Sequence, residues 1–446
     1  MKKILPKSFS AALNAPSLKW MVLLFFLALL PRFLWAITEQ PPPFSDMEDY
    51  YMCAVNFLRG DYLSQSPDRL AYRAPLYPLF LAVCLRITPG NHLLTIRLAQ
   101  SVLGSVSAVL VYWIARRLMQ PLFSHEKIKR RHLYRELAPF LIGLTYAFMA
   151  YPIFFCSVFM TETFFITLFL VWVLWGLHLD QTSSVWRLSG FSFWLGLLAL
   201  TRPIALFFLP VLIWKIAACT SKKSGRWNKW IPFLAWAAPI LPWTLRNFLL
   251  FHSLVLISTN SGVNFFIGNN PTFGYYESGY KEAVRREYIQ THGPNEAGED
   301  RLFLRLGMRY ILHDPRAFFV RSGWKFYFLY LLDKEPWPWE EYHQGRGLLV
   351  AGSDNWPLIR WKPFFFFIAV WGAIYAYVRR LRHGSLIAVI GLYTAACLIF
   401  FARTRFRMPL EPLLTIYMGL GILSLVDLMI WGYRKIIQSN AKTDAD

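Results

Sequence analysis

The sequence predicts an all-α polytopic membrane protein, a bundle of about ten transmembrane helices with two large outer-face loops carrying interfacial helices. Three observations predict the helices and their orientation. The 446 residues are 56% hydrophobic and 18% aromatic, with mean hydropathy +0.35 and 16% charged residues, where a soluble globular chain carries about 25%. Apolar windows of roughly bilayer-crossing length recur near 20–37, 93–115, 138–157, 162–179, 187–201, 203–219, 230–250, 362–378, 385–402 and 409–431. The short basic loops between them fall on a single side.

Taken in order, the window at 20–37 lacks a small-residue cleavage site and is followed by nine more, so it reads as a span and not as a secretory signal. Lys2, Lys3, Lys7 and Lys19 precede it. Basic loops at 116–136 and 221–229, "RRLRH" at 379–383 and "YRK" at 433–435 then all lie on the cytoplasmic side if the spans number ten. Both termini are therefore expected in the cytoplasm. The long loops, 38–92 and 251–361, face outward. The stretch 316–332 is the one ambiguous segment: Arg316, Arg321 and Lys325 interrupt its apolar run, and a basic residue at a helix centre costs about 2.5–3.5 kcal/mol on insertion scales. It is read as an amphipathic helix in the outer interface. No soluble domain, internal repeat or low-complexity segment divides residues 1–446, which form one integral-membrane domain.

A net charge of +21 would point to nucleic acid in a soluble protein. Here the cytoplasmic bias of Lys and Arg accounts for it, and membrane lipid replaces nucleic acid as the partner. The five cysteines form no metal or redox spacing, although Cys53 and Cys84 share a loop and could pair. No N-x-Ser/Thr sequon occurs, in keeping with a bacterial plasma-membrane protein.

The chemistry-bearing residues gather in the outward loops. Prolines 41–43 make a stiff lead-in, and Ser45 is a natural N-cap for a helix whose first turn holds Asp46, Glu48 and Asp49. Capping explains acids there; so does a general base beside the membrane surface. Glu162 is the only charge between Glu136 and Asp180 and stands at the mouth of a span, where ionisable residues are costly and commonly functional. A helix-terminal carboxylate with Thr161 as cap is the plainer reading. Arg73 in "AYRAPLYP", Arg202 in "LTRP" and Arg246 in "PWTLRN" add cations on the same side. "STNSGVNFFIGNNP" (258–271), with Asn264 and Asn269, reads first as Asx-turns and second as hydroxyl recognition. In "FARTRFRMPLEP" (401–412), Arg403, Arg405 and Arg407 alternate in a short outer loop, against the charge bias of every other short loop. Snorkelling explains one such arginine. Three point to an anionic ligand, since guanidinium matches phosphate with paired hydrogen bonds. Met408 precedes a proline, which favours an extended segment with the three arginines on one side.

Taken in order, Asp46…Tyr50…Ala54, "YRAPLYP", "TE" opening a span, "LTRP", "PWTLRN", "TNSGVNFFIGNNP" and "RFRMPLEP" resemble the GT-C glycosyltransferases of family 39, over residues 20 to 430. That group includes protein O-mannosyltransferases, the aminoarabinose transferase of lipid A and bacterial relatives that use polyprenyl-phosphate sugars. The resemblance implies that Asp46 is the catalytic loop carboxylate, that Glu162 is the second acid (Asp in most relatives), that Arg73 stands at a phosphate-contacting position, and that Arg405 and Arg407 form the basic segment before the last span. Three acids between 46 and 49 leave the identity of the base open. The soluble C-terminal domain of the aminoarabinose transferase is missing from the sequence, which turns the expectation away from that activity. The function implied is an inverting transfer of sugar from polyprenyl phosphate to a hydroxyl of a lipid, glycan or protein. It needs no cofactor; the carboxylates have the chemistry to hold Mg²⁺, but the relatives are metal-independent. A transporter or flippase, and a polymerase or ligase of surface polysaccharide, are the alternatives. Transporters place polar groups near the bilayer midplane, whereas the charges here lie at the outer ends.

Overall fold

All ten apolar windows fold as helices, and three of them are broken. The computed structural model describes residues 17–87, 92–123, 131–180, 182–219, 227–272, 279–331 and 362–443. Lys2, Lys3 and Lys7, much of the two basic loops (124–130 and 221–226) and part of the second large loop (332–361) lie outside the described residues. The first window is α1 (Leu18–Thr38). The first large loop holds α2 (Asp46–Leu58) and α3 (Leu76–Ile87). Next come α4 (His92–Met119), α5 (Arg131–Ala147) and α6 (Ala150–Phe154) sharing the third window, α7 (Thr161–His178) and α8 (Val185–Thr201). A short 3₁₀ turn, Pro203–Phe208, leads into α9 (Leu209–Cys219). The seventh window splits into α10 (Trp227–Ala237) and α11 (Ile240–Phe251). The second large loop carries α12 (Ser261–Asn269), α13 (Tyr280–His292), α14 (Glu296–His313) and α15 (Pro315–Tyr330), and α16 (Lys362–Val378), α17 (Gly384–Ile399) and α18 (Glu411–Thr443) complete the chain.

The described residues form helices and no strand, a multi-pass membrane protein. Four helices, Leu18–Thr38, His92–Leu122, Thr161–His178 and Glu411–Tyr433, are each long and apolar enough to cross a bilayer alone, and five more apolar helices have 10–17 residues. Local chemistry sets several helix starts. Ser184 accepts the N–H of Arg187 at the head of α8, and Asn295 that of Gly298 at the head of α14. Asp314 caps α15, with Pro315 at its first position, where a missing N–H costs nothing.

The bundle core packs α4 against α1, α5 and α7. One side of α4 buries Arg97, Gln100, Ser101 and Ser105 among apolar neighbours. Their partners explain why. Residues 155–160, between α6 and α7, leave the helical path, and in a membrane an unmet backbone group costs several kcal/mol. Gln100 Nε2 donates to the carbonyls of Cys156 and Val158, 3.0 Å each, and Arg97 Nε to that of Ser157 at 3.0 Å. Arg97 Nη2 also donates to the carbonyl of Pro41. One arginine thus ties the proline lead-in of α2 to the start of α7, fixing Asp46 relative to Glu162.

Three local expectations are corrected. Ser45 makes no side-chain cap; its φ of 50° is a costly conformation for a non-glycine residue, and its carbonyl receives the N–H groups of Glu48 and Asp49. Thr161 is the first helical residue of α7, with Met160 at the cap position, so Glu162 falls in the first turn. Cys53 and Cys84 do not pair, and all five cysteines are free and buried.

The 316–332 segment is helical over Pro315–Tyr330, and this helix packs on α17. Lys325 Nζ donates to the carbonyl of Leu398 at 2.8 Å, while Tyr330 meets Thr394 one turn lower at 2.6 Å. Phe319, Val320 and Trp324 stay exposed on its other side.

Candidate active site

Helical periodicity decides which acids of α2 face inward. Asp46, Asp49 and Tyr50 share a face, whereas Glu48 is exposed on another. Arg73, on the loop between α2 and α3, reaches back to that face. Its Nη2 donates to Asp46 Oδ1 at 2.6 Å and to Asp49 Oδ2 at 2.5 Å, and its Nε to Asp49 at 3.2 Å. The rings of Tyr50 and Tyr72 lie 4.9 and 5.1 Å from its guanidinium. Arg405 arrives from the other end of the chain and donates from Nη2 to Asp46 Oδ2 at 2.9 Å. Each oxygen of Asp46 therefore holds one arginine. Burial pulls the Asp46 carboxyl upward, but the charges and hydrogen bonds of Arg73 and Arg405 outweigh it and hold the group well below the usual carboxylate range. Asp49 is shifted the other way: its burial outweighs Arg73 and raises it.

A second acid–base pair stands opposite. Arg202, just beyond the C-terminus of α8, lies 3.4 Å from Glu162 on α7. Phe406 bridges the two pairs, its ring 5.6 Å from Arg202 and 5.4 Å from Arg405. Asp46, Arg73, Glu162, Arg202 and Arg405 all line one cavity of about 290 Å³. Several of their polar atoms are buried without a hydrogen bond: Arg405 Nε and Nη1, Arg202 Nη1 and Glu162 Oε2. An unmet buried group costs about 1–3 kcal/mol, more if charged. These atoms define what a ligand must supply: acceptors for guanidinium and a donor for a carboxylate.

The second large loop closes the cavity and sets Arg73. Glu296, in the first turn of α14, accepts the N–H of Leu70 at 2.6 Å, that of Ala71 at 3.3 Å and the hydroxyl of Thr259. The N–H of Thr259 donates to the Ala71 carbonyl at 3.0 Å. Glu299 receives Arg69 at 2.9 Å and Arg285 at 3.1 Å. The chain before Arg73 is thus pinned to α14 by two buried glutamates.

The remaining residues singled out in the sequence divide. Asn264 lines the cavity, as do Asn260 and Lys281. Asn269 does not: it is buried, donates to the carbonyls of Phe265 and Ile399 at 2.8 and 2.9 Å, and accepts from Lys325. Arg246 lies outside it too, donating to the Leu70 carbonyl and Asn247 Oδ1 at 2.9 Å each and stacking on Trp243. The expected extended "RTRFR" is a 3₁₀ turn over Thr404–Arg407. Arg405 and Arg407 therefore diverge. Arg407 is buried away from the cavity, paired with Glu411 at 2.5 Å and donating to the Leu329 carbonyl at 3.1 Å. Arg403 lies over Phe401. The sequence reading passes over Tyr50 and Tyr72 as site residues, as it does Lys281, Phe406, Arg97 and Glu296. Arg97 carries a signal, a charge inside an apolar window; Glu296 looks like any acid in a first turn.

The close fit of α12 to its surroundings gives one prediction. A Cβ on Gly268 would lie 1.6 Å from the Phe400 carbonyl oxygen, so Gly268→Ala must push α12 from the chain leading to Arg405. Overpacking of this kind costs about 1–3 kcal/mol, and a lowered midpoint of thermal unfolding in detergent is expected. An unchanged midpoint would show that this wall yields.

No protein-family model and no curated protein matches this chain. Solved structures do. The Archaeoglobus fulgidus oligosaccharyltransferase, tethered with an acceptor peptide, is similar over 94% of this chain and 51% of its own, with TM-score 0.48 and 12% identity. ArnT from Cupriavidus metallidurans bound to undecaprenyl phosphate is similar over 91% of this chain and 78% of its own, with TM-score 0.38 and 14% identity. Both are GT-C fold glycosyltransferases. The chain spans about half the length of the oligosaccharyltransferase it matches. At TM-scores below 0.5, neither likeness transfers a residue role or a substrate.

Proposed function

We propose that this protein is a membrane glycosyltransferase that moves a sugar from a polyprenyl-phosphate donor to an acceptor hydroxyl at the outer face of a bacterial plasma membrane. The observation that carries the reading is a single cavity in which the buried guanidinium of Arg405, with Nε and Nη1 free of protein hydrogen bonds, and that of Arg202, 3.4 Å from Glu162, stand beside the carboxylates of Asp46 and Glu162. Phosphate oxygens are the complement of such donors.

In the proposed step the acceptor oxygen attacks the anomeric carbon and gives its proton to a carboxylate. The bond from that carbon to the phosphate oxygen breaks, and its electron pair leaves with the lipid phosphate. Attack opposite the leaving group inverts the anomeric centre. Arg405 and Arg73 stabilise the phosphate charge as it grows, a contribution worth about 10²–10³ in turnover for one well-placed donor. Asp46 in the free protein is a weak base because both arginines hold its ionised form. A donor phosphate competes for those N–H groups and brings negative charge of its own. Both effects raise the proton affinity of Asp46, so the base is armed by donor binding. Glu162, paired loosely with Arg202 and with Oε2 unmet, serves as acceptor for a sugar hydroxyl. No step requires ATP or a metal ion.

The test is release of undecaprenyl phosphate from an undecaprenyl-phosphate-linked sugar by detergent-solubilised protein, without ATP or an ion gradient. Movement of the intact lipid across proteoliposomes with no release would replace transfer by transport. Orientation is checked separately: reporters fused at positions 65 and 290 should read outside and one at 125 cytoplasmic, from the charge bias of the loops. Labelling of a cysteine at position 405 from the cytoplasm alone would invert the proposal.

A further inference from the structure

A second cavity, of about 200 Å³, lies against the first and shares Pro203, Leu206 and Ser261 as walls. Its other walls are the segment 253–258, Ala297, Asp300 and Arg301. Its chemistry differs from that of the donor cavity. Its lining carries one half-buried carboxylate, Asp300, and the hydroxyls of Ser253, Ser258 and Ser261, and its cation, Arg301, is exposed. Asp300 is rigidly held: Gly262 N–H donates to its Oδ1 at 2.6 Å, and its own carbonyl oxygen would meet a Cβ on Gly262 at 1.9 Å. Across from it Ser253 Oγ is buried with no hydrogen-bond partner.

The segment 253–258 is fixed from behind by α11. Thr244 donates to the carbonyl of Leu256 at 2.8 Å, Asn247 to that of Val255 at 3.1 Å, and Trp243 to that of Ile257 at 2.7 Å. Alternate residues then point outward, and Leu254 and Leu256 are exposed at the rim. The segment begins directly after α11, whose exposed Leu241, Leu245 and Leu249 are suited to lipid. An apolar rim at the membrane surface therefore surrounds a small, hydroxyl-binding interior.

We propose that this second cavity is the acceptor subsite, and that its ligand is the hydroxylated head group of a membrane glycolipid that enters from the outer leaflet past Leu254 and Leu256. This rests on the donor reading of the first cavity. An ionised carboxylate only accepts hydrogen bonds, so Asp300 selects hydroxyls and repels a phosphate. The volume lies below the roughly 300 Å³ at which drug-sized pockets begin, and holds one sugar ring. A polysaccharide or an extended peptide needs a longer groove and gains nothing from the leucine rim. The ring, held by Asp300 and Ser253, offers a neighbouring hydroxyl across the shared Ser261 wall toward Asp46.

The full-length protein in lipid nanodiscs, labelled by an alkyl glucoside carrying a photoreactive diazirine in its chain, tests this directly. Mass spectrometry should place the label on residues 253–261. Asp300→Asn, which keeps an acceptor for Gly262 but loses the charge, should reduce labelling about tenfold, as should Ser253→Val. Excess undecaprenyl phosphate should leave it unchanged, while its own binding at the donor cavity, measured separately, reports on the function proposed above. Equal labelling by an alkyl phosphocholine of the same length, or full labelling in both variants, would reduce the site to a greasy rim. Competition by free glucose as strong as that of the unlabelled alkyl glucoside would remove the lipid from the proposal. Displacement by undecaprenyl phosphate would make the cavity part of the donor site.

Discussion

Asp46→Asn is expected to lower turnover by about 10²–10⁴-fold, the usual worth of a general base, while binding undecaprenyl phosphate at least as tightly as the wild type. The first half follows from chemistry, because an amide accepts no proton at neutral pH. The second follows from geometry. Asp46 occupies Arg73 at 2.6 Å and Arg405 at 2.9 Å, so an anionic ligand must compete with an internal anion, and the asparagine removes that competitor. Proton linkage sharpens the test. The free protein holds Asp46 ionised far below the usual carboxylate range, so kcat/KM for the donor should show no acid limb from Asp46 between about pH 5 and 8. In the donor complex, with the arginines engaged by phosphate, the limb should appear in kcat. Weakened lipid-phosphate binding in Asp46→Asn would mean that the carboxylate orders the arginines instead of competing with the ligand. Normal turnover in Asp46→Asn with loss in Asp49→Asn would move the base by one helical turn.

The fold was legible because its signal is length. Ten apolar windows gave helices near their expected bounds, and the breaks in three of them are the details that hydropathy cannot carry. The sequence reading left the three acids of α2 undivided, although helical spacing separates them: residues 46, 49 and 50 share a side and Glu48 does not. Elsewhere, distant contacts decide. Ser45 was a good capping residue by type, yet its carbonyl does the work and its backbone takes a strained form. Met408 precedes a proline and still adopts helical angles, φ −47° and ψ −43°, because Arg407 is drawn to the Leu329 and Tyr330 carbonyls of α15. Nothing within "RTRFR" names those partners. Glu296 was equally hidden: its ligands Leu70 and Ala71 lie more than 220 positions away in the chain.

Arg405 and Arg407, alike in sequence, are expected to fail in different ways. Arg405→Ala should lose about 10²–10³-fold in kcat/KM for the donor, because Arg405 lines the cavity and keeps Nε and Nη1 free of any protein hydrogen bond. Arg405→Lys should still lose about tenfold, or 1.4 kcal/mol, since an ammonium cannot present two parallel N–H groups to a phosphate while holding Asp46. Arg407 has a different task. Its Nε bonds Glu411 in the first turn of α18 and its Nη1 bonds two α15 carbonyls, so it clamps α15 to the start of α18. Removing one partner of such a buried pair costs about 3–5 kcal/mol, and Arg407→Ala should lower the unfolding midpoint while the folded fraction keeps its donor KM. Arg407→Ala, Glu411→Leu should regain part of that stability, because no unpaired carboxylate is left buried, whereas no second change of this kind rescues Arg405→Ala. A donor KM raised equally by Arg405→Ala and Arg407→Ala, at unchanged stability, would restore both arginines to the phosphate. Wild-type kinetics in Arg405→Ala would leave the cavity without its phosphate ligand.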